Sequence, residues 1–113
     1  MITGRGCTVA IETDNPFEKV LDRLREKGWR QGSMGDLEKG PNCIAGAGNS
    51  VLMAHHYRIL ESILDDQYPE RTSGRMCPTP NFNDHPDTTF SDVERVLEKA
   101  AVKWEEERVL RND

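Results

Sequence analysis

The sequence predicts a mostly α-helical fold: one small three-helix domain over residues 1–113, with two long irregular loops and an N-terminal segment that is either a short strand or an extended arm. Three observations lead there. Apolar residues recur at helical spacing in three separated stretches, cap and stop residues bracket those stretches, and glycine or proline clusters fill the intervals. A chain of 113 residues suits a single domain. It can bury roughly two-thirds of the surface its unfolded form exposes, so a core forms without staples. Hydrophobic residues make up only 35% and aromatic residues 6%, so that core is modest.

Residues 1–14 carry glycines at 4 and 6, followed by Cys7-Thr8-Val9-Ala10-Ile11, a β-compatible run with no second strand to pair with. The first helix is expected at 16–27. Asn15 is a suitable N-cap, Pro16 fits the first helical position, and Glu18 stands where it completes a capping box. Phe17, Val20, Leu21 and Leu24 share one face, and Gly28 supplies the stop. Trp29 then folds back over the helix end. Residues 30–42, with three glycines and a proline, read as a flexible loop.

The second helix is expected at 43–65 with Asn42 as N-cap. Gly46 and Gly48 weaken its first turns, which calls for a bend near Gly48-Asn49-Ser50 or a close approach by another segment. Leu52, Ile59, Leu60 and Ile63 form its apolar stripe. The segment 67–88 holds most of the chain's six prolines and is expected to form no regular element, with Phe82 as its apolar anchor. The third helix is expected at 89–107, starting on Thr89 with Asp92 in the capping-box position. Its stripe is Val93, Val96, Leu97, Ala100 and Trp104, and residues 108–113 are expected to fray. Trp29, Ile44, Ala47 and Val51 complete the expected core.

Bulk chemistry narrows the function. Twenty acidic and fifteen basic residues give a net charge of −5, the wrong sign for a protein that binds phosphates non-specifically. Arg5, Glu12 and Asp14 interrupt the N-terminus, which does not read as a signal peptide. No stretch approaches the ~20 apolar residues of a membrane span. The expectation is a cytoplasmic protein, with Cys7, Cys43 and Cys77 as free thiols.

The punctuation also carries a resemblance. A helix ends on Gly28-Trp29, and Gln31-Gly32 follows. Cys43-x-x-Gly46-Ala47 then opens a helix, and Phe82-Asn83-Asp84 comes next. Thr88-Thr89-x-x-Asp92-Val93 leads into Leu97-Glu98-Lys99-Ala100-Ala101. Over roughly 17–103 this order resembles an uncharacterised family of short proteins, common in high-GC Gram-positive bacteria and their phages. The resemblance implies a small helical domain, a phage or bacterial setting, and no assigned activity. The extended segment before the first helix and His85 depart from the family's pattern.

Several residue groups have the chemistry of a site. Cys43 lies at an expected helix start, where the dipole and free N–H groups favour a thiolate. With Gln31 upstream, His55, His56 or His85 as base, and Asn83 or Asp84 to orient it, it has the parts of a thiol hydrolase. The structural reading outweighs this, because a small thiol beside Gly46 and Ala47 suits tight packing. Metal binding finds no support: His55 and His56 are adjacent, diverge by about 100° on a helix, and lack C-x₂₋₄-C or H-x₃₋₅-H companions. They read as one surface and one partly buried histidine. Asn83-Asp84-His85 and the residues after it read as caps that fix the start of the last helix. The cations at 19, 23, 25, 27 and 30 read as a solvated face laced by i,i+4 pairs such as Glu26–Arg30.

The leading expectation is a non-enzymatic phage or bacterial accessory protein acting through protein–protein contact, without cofactor or metal. The partner is an unknown protein, or a second copy through the C-terminal helix at Val109 and Leu110. The first alternative is a small-molecule or nucleotide-binding domain using loops 30–42 and 67–88, its site drawn from Trp29, Gln31, Gly32, Cys43, Asn83 and Asp84. The second is the cysteine enzyme, with Cys43 as nucleophile.

Overall fold

The computed structural model describes residues 15–49, 51–72 and 78–112, with side chains as far as Arg108. The expected arm at 1–14 and the side chains of Val109 and Leu110 lie outside the described residues.

Helix α1, Pro16–Lys27, forms where the cap chemistry places it. Asn15 Oδ1 accepts from the N–H groups of Phe17 and Glu18 at 3.0 and 3.4 Å, relieving donors that an α-helix leaves open. Asn15 Nδ2 donates to Ala101 O and Glu105 Oε2 at 2.9 and 3.1 Å, which ties this cap to the last helix. Phe17, Val20, Leu21 and Leu24 are buried, and the helix stops at Gly28, whose φ of +100° disfavours any side chain.

The expected helix at 43–65 is two elements instead. Helix α2 is a single turn, Ile44–Ala47, and helix α3 is Ala54–Gln67. The chain turns at Gly48, whose carbonyl accepts from both Val51 and Leu52 N–H at 3.0 and 2.8 Å. Leu52 thereby folds back onto Gly48, where a Cβ would crowd its side chain at 2.8 Å. Weak helix propensity through Gly46 and Gly48 makes that interruption cheap. Cys43, not Asn42, caps α2: its Sγ accepts from Gly46 N–H at 3.3 Å.

The segment 67–88 also differs from its reading as irregular. It contains α4, Pro69–Thr72, and α5, Pro78–Asp84. Proline breaks helix interiors but is favoured at a first helical position, and each of these helices begins on one. Phe82 is fully buried, as its role as anchor requires.

Helix α6, Phe90–Asn112, starts on a reciprocal box: Thr89 N–H donates to Asp92 Oδ2 at 3.1 Å, and Asp92 N–H donates to Thr89 Oγ1 at 3.3 Å. It runs five residues beyond the expected end at 107, through the stretch expected to fray. Lys103–Glu107 and Glu105–Arg108 ion pairs lie along its last turns. At 23 residues it is about 34 Å long.

Helices α1 and α3 pack on α6, α5 packs on α3, and α2 bridges α1 to α5. Their shared core includes Phe17, Leu24, Ile44, Leu60, Leu64, Phe82, Val93, Val96, Leu97 and Ala100. Val51, Ile63, Trp29 and Trp104, expected inside, are half-buried at its margin, and Leu64 takes a central place that the expected stripe omitted. Two cations of α1, Arg23 and Arg25, reach across to other elements rather than along their own helix. Arg25 pairs with Glu94 and Glu98 of α6, and Arg23 turns to the following loop. Among the described residues there is no strand, and no helix is long and apolar enough to cross a membrane.

Candidate functional site: the pinned loop and the Asn83 junction

Backbone that forms neither helix nor sheet must still satisfy its polar groups. In loop 30–42 one side chain does much of this. Asn42 is fully buried. Its Nδ2 donates to Met34 O and Asp36 O at 2.8 and 3.0 Å, and its Oδ1 accepts from Arg23 Nε at 2.9 Å. Its backbone pairs with the strand-like stretch after α1: Arg30 N–H donates to Asn42 O at 2.9 Å, and Asn42 N–H to Gly28 O at 3.0 Å. Arg23 also donates to Leu37 O at 2.6 Å. At the tip, the Asp36 carboxylate accepts from Lys39 and Glu38 N–H, which hold it below the ordinary carboxylate range. The loop expected to be flexible is therefore bonded from within. It also rests on α2: a Cβ at Gly46 would collide with the Met34 carbonyl.

A second asparagine joins this loop to α5. Asn83 is 1% exposed. Its Oδ1 accepts from Trp29 Nε1–H at 2.8 Å and from Ile44 N–H at 3.0 Å. Its Nδ2 donates to Arg30 O at 3.0 Å and to Asp84 Oδ1 at 2.9 Å. Asp84 Oδ1 also accepts from Gly32 N–H at 2.9 Å. Gln31 Nε2 donates to Asn83 O and His85 O at 3.0 and 2.8 Å. Trp29 stacks on Phe90 with centroids 6.1 Å apart, so its indole is fixed by its ring face and its N–H together.

The residues singled out in the sequence thus meet at one place. Trp29, Gln31, Gly32, Asn83 and Asp84 are mutually bonded, and Cys43 adjoins them through Ile44. Their polar atoms bond one another, which is the chemistry of a junction between distant chain segments. The Cys43 thiol is buried and accepts from Gly46 N–H. Burial raises the Tyr57 hydroxyl's pKa, and Cys43 and then Glu61 raise it further. The His85 imidazole turns the other way and accepts from Asp87 N–H at 3.0 Å. Among the described residues no group of three or more His, Cys, Asp or Glu stands where it would hold a metal ion.

Three clefts, of about 700, 780 and 570 Å³, lie elsewhere, along the flanks of α6. On the outside of loop 30–42 two apolar side chains face solvent, Met34 at 42% and Leu37 at 48% exposure. The sequence reading missed both these residues and Asn42. Two large apolar residues in an otherwise polar, glycine-rich loop were the legible signal for the former. Asn42 was hidden because an asparagine before a helix reads as its cap.

The sequence model of a family of unknown function (DUF6197) matches residues 11–103. The chain belongs to that family. The DUF6197 match takes in every element from α1 to most of α6, including both asparagines, and agrees with the resemblance carried by the Gly28-Trp29, Cys43-x-x-Gly46 and Asn83-Asp84 punctuation. Searches of curated proteins and of solved structures find no match.

Proposed function

We propose that this protein is a non-enzymatic accessory protein of bacterial or phage origin that acts by protein–protein contact, with loop 30–42 as its contact surface. The observation that carries this reading is the pairing of a braced backbone with outward apolar side chains. Asn42 and Arg23 bond the loop from inside while Met34 and Leu37 remain exposed. A loop already held in one shape loses less conformational entropy on binding, so a small apolar contact yields more affinity. The polar residues that a small ligand would use are engaged with each other at the Asn83 junction, which supports a surface contact over a polar pocket there.

The test compares the tagged wild type with the double variant Met34→Asp/Leu37→Asp in a lysate of a high-GC Gram-positive host. Circular dichroism is expected to be identical for the two, because Asn42 and Arg23 brace the loop through the backbone carbonyls of Met34, Asp36 and Leu37, which the substitutions leave in place. A protein retained by the wild type and lost from the variant supports the reading. Identical sets of retained proteins, or none, overturn it.

A further inference from the structure

Helix α3 begins in an unusual way. Its N-cap residue, Met53, has extended backbone and no side-chain oxygen. His56 instead reaches back from the third helical position, and its Nδ1 accepts from Met53 N–H at 2.9 Å. Glutamate or glutamine normally fills that position in a capping box. An imidazole accepts at Nδ1 only while that nitrogen is bare, so the cap requires a neutral ring with its proton on Nε2.

The surroundings reinforce that requirement. His56 is 7% exposed. Its ring packs T-shaped with Phe17 of α1 at 5.9 Å and with Trp104 of α6 at 4.9 Å, and tilted against His55 of its own helix at 4.0 Å between centroids. The charged groups on the described elements around it offer little compensation for a cation. Arg58 and His55 of α3 line the adjoining cleft with Lys103 and Glu107 of α6, and those last two pair with each other. Glu105 of α6 accepts from Asn15, and α1 contributes Phe17 and the exposed Glu18.

We propose that His56 is an acid-sensitive latch: protonating its ring removes the cap of α3 and places a cation between Phe17 and Trp104, loosening α3 from α1 and α6. Burial, and then His55, hold the folded-state pKa of His56 below its ordinary value. The unfolded chain therefore binds the proton more readily. The stabilisation is complete above the unfolded value near 6.5 and is lost as pH falls through the folded value. Glu61 has the opposite sign. Burial and Asp65 raise its pKa, so its share of stability grows as pH falls. Comparison with a His56 variant cancels that share.

The experiment measures urea midpoints from pH 7.5 to 5.0 for the wild type, His56→Gln and His55→Gln. Glutamine at 56 keeps an acceptor for Met53 N–H and cannot titrate in this range. The unfolding constant of the wild type is expected to rise several-fold over the window; His55→Gln is expected to rise in the same direction but less steeply, because His55 helps hold the His56 pKa down, and His56→Gln to show only the opposite Glu61 trend. A His56→Gln variant that falls in parallel with the wild type overturns the proposal. Should that variant not fold, the wild-type His56 ring is titrated by NMR. A midpoint below the ordinary histidine value supports the latch, and one at or above it overturns it.

Discussion

Replacing Asn83 with alanine removes four hydrogen bonds from a residue that is 1% exposed. The deletion strands the Ile44 N–H, whose bond to Asn83 is fully buried, and the Trp29 indole N–H and Arg30 carbonyl, whose bonds are partly buried. An unsatisfied buried group costs about 1–3 kcal/mol, with less for groups that water reaches. One full penalty and two partial ones give roughly 3–5 kcal/mol. That is a large share of the ~5–15 kcal/mol by which a domain of this kind is stable. Urea slopes for small proteins run about 1–3 kcal/mol per molar, so the midpoint of Asn83→Ala is expected to fall by roughly 2 M. Asn83→Asp adds a check on mechanism. It keeps oxygens for Trp29 and Ile44, but loses the amide donors and sets a second carboxylate against Asp84. Its destabilisation is expected to be greater at pH 7 than at pH 4. A loss below about 1 kcal/mol for Asn83→Ala, equivalent to a single ordinary hydrogen bond, would refute the assignment of this residue as the junction of three segments.

Gly46→Ala drives a methyl group into the Met34 carbonyl and is expected to cost about 1–3 kcal/mol by overpacking; faster amide exchange in loop 30–42 than in α6 of the same variant identifies the loop as the part that yields. Burial raises the pKa of Asp92, but Thr89 N–H, Arg71 and Arg95 outweigh it and hold the carboxyl below its ordinary value. Its contribution is therefore present above the unfolded value near 3.9 and lost as pH falls through the folded value, so Asp92→Asn is expected to melt below the wild type at pH 6, with the gap narrowing as the pH falls below that unfolded value.

Helix α1 was legible from its own residues because each determinant is local: Asn15 caps, Pro16 starts, Gly28 stops, and four apolar residues share a face. The start of α6 was legible for the same reason, through Thr89 and Asp92. What escaped depends on distant partners. The break at Gly48 is enforced by Leu52 folding back and by Met34 arriving over Gly46, and periodicity cannot see either contact. Helices α4 and α5 escaped because Pro69 and Pro78 read as breakers, although a proline in the first position leaves the rest of a turn free to form. The meeting of Trp29, Gln31, Asn83 and Asp84 was legible as a set of residues, but its character was not. The sequence cannot distinguish polar groups that face a ligand from polar groups that face each other. Asn42 was misplaced on a cap because its true acceptors, Met34 O and Asp36 O, belong to a loop with no regular pattern.

The two asparagines explain how a loop with no helix or strand of its own is held in place. A side-chain amide offers acceptor and donors together without a net charge, so it can be buried if every site is used. Asn42 closes the loop on itself, and Asn83 fastens its base to Ile44 and α5, across 39 and 54 residues of sequence from its partners Ile44 and Trp29. An aspartate in either place would bury a charge. The arrangement makes stability and contact separable. Substitutions at Met34 and Leu37, 42% and 48% exposed, leave the bonds of Asn42 and Asn83 in place and are expected to cost about 1 kcal/mol or less, whereas Asn83→Ala removes several times that from the interior. Loss of a partner on Met34→Asp/Leu37→Asp, at unchanged stability, would then belong to the surface itself. Loss on Asn83→Ala alone would show only that the platform beneath it had given way.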